Sequence, residues 1–148
     1  MTTVVGTNEI ITTRELEFAR EDVFKAWTTP ELIARWWGPD GFTNTIHEFD
    51  PRPGGDWRFI MHGPDGTDYS NHNVFVEVVP YERIVIKHLF APEFQVTATF
   101  EERGGATGMM FHQTFNKPEE FEAVKGYCGD ANEQNLDRLH AVLAGLAK

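Results

Sequence analysis

Asp56-Trp57-Arg58-Phe59-Ile60-Met61-His62 sets the frame for the fold, because Arg58 is a charge that a core rejects without a partner and its two neighbours are large aromatics. If Arg58 faces solvent, the period of two sends Trp57, Phe59 and Met61 to the opposite, inner face of a strand. The same argument extends outward along the chain. Glu77, Lys87 and Glu101 face solvent by this reasoning, which turns Val74, Val76 and Val78 inward, then Ile84, Ile86 and Phe90, then Val96, Ala98 and Phe100. Met109, Phe111 and Phe115 complete the inner face.

Turn chemistry separates these segments. Pro53-Gly54-Gly55, Gly63-Pro64-Asp65-Gly66, Pro80-Tyr81-Glu82-Arg83, Ala91-Pro92-Glu93 and Gly104-Gly105 cut Thr43 to Phe115 into six strands, and such short connections join antiparallel neighbours. Before them, Ile10 to Phe18 alternates as a half-buried strand, followed by a short helix over Glu21 to Trp27. A second helix opens at Thr28-Thr29-Pro30-Glu31, where a threonine is placed to cap, and Gly38-Pro39 ends it. Asn116-Lys117-Pro118-Glu119 then opens a long final helix, whose Leu136, Leu139, Leu143 and Leu146 fall on one stripe. Gly126, Gly129 and Gly145 mark places where that helix breaks or comes close to the sheet. The expected class is α+β, with a curved antiparallel sheet of about seven strands around a long C-terminal helix and two short helices after strand 1.

Composition narrows the function. The 148 residues read as one domain over 1–148, and a chain of this size buries enough apolar surface to fold without staples. A formal charge of −10 with no Lys/Arg cluster argues against nucleic acid as a partner. No apolar run has the roughly 20 residues that cross a bilayer, so no membrane partner is expected. The single cysteine, Cys128, and an N-terminus without a leader pattern point to the cytoplasm.

The exceptions on the inner face carry the functional signal. Parity places His47, His72, His88 and Gln113 there, four polar groups that a solid core rarely accepts and that a ligand cavity uses. Against this stands the plainer reading that each histidine is satisfied by a neighbouring carbonyl. No metal is expected, because no pair of histidines has helical or hairpin ligand spacing. The Trp36-Trp37 pair is read as a core plug that leaves one ring at the cavity mouth. No G-x-S-x-G, H-E-x-x-H or phosphate-binding glycine loop occurs.

Four stretches carry a resemblance: Phe18 to Pro30, Trp36-Trp37-Gly38-Pro39, Asp50-Pro51-Arg52-Pro53-Gly54-Gly55-Asp56-Trp57-Arg58, and Glu77 to Arg83. On these the chain resembles the activator of heat-shock-protein-90 ATPase homologue family of the START-like, or SRPBCC, superfamily, from about Thr12 to Leu146. The resemblance implies a helix-grip (START-like) fold with a cavity between sheet and final helix, and by name a link to stress response. It transfers no catalytic residue and implies no cofactor.

The leading expectation is therefore binding of a small apolar or aromatic molecule. Trp37, Phe42, Trp57, Phe59, Met61 and Phe111 are its packing walls, with His47, His72, His88 and Gln113 orienting the ligand. Two alternatives use the same residues differently: an enzyme of the cyclase or hydrolase type with a cavity histidine as general base, and a chaperone-associated interaction domain. A homodimer is left open.

Overall fold

The computed structural model of the chain describes residues 2–90 and 92–146, with only the backbone of Thr2. Eleven elements follow one another: β1 (Thr2–Gly6), β2 (Glu9–Leu16), α1 (Arg20–Thr28), α2 (Pro30–Trp36), β3 (Thr43–Phe49), β4 (Asp56–His62), β5 (Asp68–Val79), β6 (Arg83–His88), β7 (Phe94–Arg103), β8 (Ala106–Phe115) and α3 (Pro118–Leu146). The strands form one antiparallel sheet in the order β1-β2-β8-β7-β6-β5-β4-β3. Only the β2–β8 pair is distant in sequence, because α1 and α2 carry the chain from β2 to the far edge at β3. The α+β class, the long final helix and the two short helices after the expected first strand are all present.

Among the described residues there are eight strands where about seven were expected. The added one is β1, an edge strand joined to β2 by a two-residue turn in which Asn8 takes a left-handed φ of 56°. Its Val4 and Val5 are exposed, so it lacks the buried face by which the other strands announce themselves. Thr3 ties it down through hydrogen bonds with Thr12 and with the Glu133 carboxylate of α3.

The helices follow their sequence signals with small differences. Thr29 stands at the N-cap of α2 but its hydroxyl makes no capping bond; Pro30 in the first turn is the signal that holds. α3 runs unbroken through Gly126, Gly129 and Gly145, and a β-carbon at Gly129 would come within 3.3 Å of the Thr3 methyl. Leu136, Leu139 and Leu143 are buried, whereas Leu146 in the last turn of α3 is 49% exposed.

Two β-bulges change which side chains face inward. In β5 the register shifts between Phe75 and Glu77, so Val76 is an extra residue and every position before it changes face. Glu77 does face outward, paired with Arg83, and Val78 packs on the core as expected. Upstream the expectation is reversed: Phe75 and Asn73 are buried, Val76 is 49% exposed, and Val74 and His72 leave the inner face. The bulge is stapled by the Asp50–Gly55 loop, where Gly54 N donates to Phe75 O at 2.7 Å and Phe75 N donates to Gly55 O at 2.9 Å. A β-carbon at Gly55 would overlap the Asp50 carbonyl oxygen, which explains the glycine. The second bulge, between Ile46 and Glu48 in β3, leaves His47 exposed while Ile46 and Phe49 pack inward. Phe90 lies beyond the end of β6 and is 45% exposed rather than inward.

Two apolar clusters fill the space between sheet and helices. The larger joins Trp27, Trp36, Trp57, Phe75, Phe100, Leu136 and Leu139; the smaller joins Ile10, Phe115, Phe121 and Val124. Between them lies a belt of buried polar side chains.

Candidate functional site

That belt borders a cavity of about 180 Å³ under α3. Its apolar walls are Trp37, Phe59, Met61, Phe94 and Phe111, with Pro39 at the mouth. Its polar lining comes from Asn71 and Asn73 on β5, His88 at the end of β6, Gln113 on β8, and Asn132 and Asn135 on α3. Among the described residues no Asp, Glu, Lys or Arg lines it.

The hydrogen bonds assign most of these groups. His88 and Asn73 are directly opposite in the β5–β6 ladder, and Nδ1 of His88 donates to Oδ1 of Asn73 at 2.7 Å. Burial lowers the His88 pKa to about 4, with Glu93 opposing the shift and His72 adding to it, so the ring is neutral at physiological pH. Phe94 stacks on it at 4.6 Å between ring centroids. Across the cavity, Asn132 Nδ2 donates to Gln113 Oε1 at 3.0 Å, and Asn135 Oδ1 accepts from the amide of Gly38.

The mouth is built by the loop between α2 and β3, which α3 grips from above. Arg138 donates to the carbonyl oxygens of Arg35, Trp37, Gly38, Pro39 and Phe42, at 2.7 to 3.3 Å. Gln134 accepts from the Asp40 amide at 3.1 Å, and Asn44 donates to Ala34 O and Trp37 O. Gly38 has φ 99°, and a β-carbon there would press to 2.7 Å on the Met61 methyl. The Trp-Gly-Pro turn thus presents Trp37 to the cavity while its backbone is fixed on both sides.

Six of the ten expected residues meet here: Trp37, Phe59, Met61, His88, Phe111 and Gln113. The other four do not. Trp57 is sealed behind the wall, 4.9 Å from Trp37 and stacked on Phe59 at 4.6 Å. Phe42 lies outside the lining and packs towards Tyr69. His47 is exposed at the β3 bulge, and His72 sits on the outer face, bonded to Asp56 Oδ1 at 2.8 Å. The residues that sequence reasoning missed are the asparagines. Asn71 and Asn73 were hidden by the β5 bulge. Asn132 and Asn135 had a readable signal, since they continue the Leu136 and Leu139 stripe backwards at helical spacing.

A larger, open depression of about 470 Å³ crosses the outer face, bordered by Thr13, Glu15, Thr99, Glu101, Arg103 and Met110. Its charged groups are solvated or already paired, Arg103 with Glu101 at 3.5 Å and Arg14 with Glu133 and Asp137, so it lacks the apolar walls and convergent free polar atoms of the inner cavity. Among the described residues no three His, Cys, Asp or Glu side chains converge as a metal site would need. No helix among them is long and apolar enough to cross a membrane.

Comparison with known proteins places this geometry in a family. Residues 17–144 match the family described as Activator of Hsp90 ATPase homolog 1-like protein. The chain belongs to that family. Solved structures of the same fold include a protein from Arthrobacter aurescens (20% identity, TM-score 0.90, 97% of this chain and 91% of that one). A Nitrosomonas europaea protein has 19% identity and TM-score 0.87, over 97% and 99% of the two chains. A Rhodobacter sphaeroides protein has 24% identity and TM-score 0.86, over 98% of each. At these identities the likeness shows the fold alone. Among curated proteins none matches the chain. Asp50 to Gly55 and Trp36 to Pro39, which carried the resemblance in sequence, prove to be the loop that staples the β5 bulge and the turn at the cavity mouth.

Proposed function

We propose that this family member binds a small, uncharged, largely aromatic molecule in the cavity between sheet and α3. The observation that carries the reading is the lining itself: aromatic walls, four buried amide side chains and a half-buried fifth, Asn71, with one neutral imidazole, and no charge among the described residues. Size supports a ligand of about one ring, since a cavity of roughly 150 Å³ lined by apolar side chains accepts benzene. Charged ligands are disfavoured, because a buried carboxylate or ammonium without a partner is costly.

The enzyme alternative has one observation in its favour, a histidine in the cavity. Its pKa near 4 argues against the role, since a general base works best with a pKa near the operating pH. Binding is accordingly the reading adopted, with the whole chain acting as one domain and with no cofactor. A chaperone partner would instead need a contiguous outer apolar surface of several hundred Å².

The test is a cavity-filling variant. Toluene should raise the thermal midpoint of the wild-type protein, and Ala131→Leu, which extends a side chain from α3 into the cavity, should abolish that rise. An equal rise in both proteins would place the ligand elsewhere.

A further inference from the structure

The polar atoms left over in the cavity are more specific than its size. Asn73, His88, Gln113 and Asn132 are each more than nine-tenths buried, at 2%, 7%, 5% and 8% exposure. Each uses one polar atom within the protein. Asn73 Oδ1 accepts from His88 Nδ1, and Gln113 Oε1 accepts from Asn132 Nδ2. What remains without a side-chain or backbone partner among the described residues is two donors, Asn73 Nδ2 and Gln113 Nε2, and two acceptors, His88 Nε2 and Asn132 Oδ1. The assignment of His88 follows from the bond it makes: a neutral ring that donates through Nδ1 leaves Nε2 as a bare lone pair. These remaining atoms are also not sealed, unlike Asn135 Nδ2, Trp27 Nε1 and Trp57 Nε1, which are enclosed and have no partner.

From this pattern we infer that the cavity is built for an aromatic alcohol of about one ring, whose hydroxyl donates to His88 Nε2 and accepts from an amide of Gln113 or Asn73. A hydroxyl is the smallest uncharged group that both donates and accepts, so a single such group can meet one acceptor and one donor of this lining. Phe59, Phe94, Phe111 and Trp37 supply the surface for the ring. A carboxylate would face the His88 lone pair, and an ammonium would lack a carboxylate partner. A plain hydrocarbon would fill the volume but leave four buried polar atoms without ligand bonds.

This inference rests on the proposed binding function and can fail separately from it. Phenol, toluene and benzoate are titrated into the wild-type protein, His88→Phe and Gln113→Leu by calorimetry, with thermal midpoints measured to establish that each variant is folded. The expected result is phenol binding at least about tenfold more tightly than toluene to the wild type, the net worth of one or two hydrogen bonds. Benzoate should be weaker still, and the preference for phenol should shrink to within about threefold in both variants. Gln113→Leu is the safer variant, because it leaves the His88–Asn73 pair intact. If toluene binds as well as phenol and the variants bind both alike, the cavity is an apolar site and the inference is overturned while the binding function stands. If neither phenol nor toluene binds, both are overturned.

Discussion

Asn73 and His88 are cross-strand partners whose side chains are hydrogen-bonded at 2.7 Å within the belt of buried polar groups that separates the two apolar clusters. The pair explains how a buried histidine is tolerated: its Nδ1–H is satisfied, the ring stays neutral, and Phe94 covers one face.

It also fixes a pH dependence. The His88 pKa falls from 6.5 to about 4 on folding, mainly through burial. Between those values the unfolded chain binds a proton that the folded chain does not. Stability should therefore be full above about pH 6.5, fall as the pH drops towards 4, and lose no more from this group below that, for a total of about 3 kcal/mol. Burial sets the direction of the shift, with Glu93 opposing it and His72 adding to it. Urea titrations at several pH values should show His88→Gln free of this component, and a wild-type minus variant difference independent of pH would contradict it.

The sheet offers a second test at Gly55. Its missing β-carbon makes room for the Asp50 carbonyl, and the same loop bonds to Phe75 at the bulge. Gly55→Ala should cost about 3 kcal/mol, in the range of overpacked positions. Gly66→Ala is the control: φ is +86° but no atom lies within 4 Å of the added carbon, so the cost should be about 1 kcal/mol. Equal losses in a denaturant titration would remove the special role given to the loop.

How far the sequence could be read depends on that loop. The outward charge of Arg58 placed Trp57 and Phe59 correctly because β4 has no bulge, and the leucine stripe placed Leu136 and Leu139 for the same reason of regular period. Glu77 was also placed correctly, yet the inference could not be carried past Val76, because one extra residue inverts a strand and no local residue type marks it. The signal lay some twenty residues earlier, in Gly54-Gly55, and only pairing reveals it. The cavity was thus legible as a place, through Gln113 and His88, but its asparagines were assigned to the wrong face or overlooked on α3.

The third test concerns the mouth. Arg138 bonds five carbonyl oxygens of the α2–β3 segment, so Arg138→Met should strand several of them and destabilise the protein by about 3 kcal/mol. Hydrogen exchange should accelerate first at the amides of Gly38 and Asp40, whose acceptors Asn135 and Gln134 sit one turn earlier on α3. Acceleration spread evenly over the sheet would instead mean global loosening with no role in holding the mouth.

The central claim is that the inner cavity, and not the larger outer depression, is the binding site. Methionine reports on both, because Met61 lines the inner cavity and Met110 borders the outer one. With methyl-labelled methionine, titration with phenol followed by carbon–proton correlation spectra should shift the Met61 methyl resonance saturably and leave Met110 unmoved. A saturable shift at Met110 with Met61 unchanged would contradict the account.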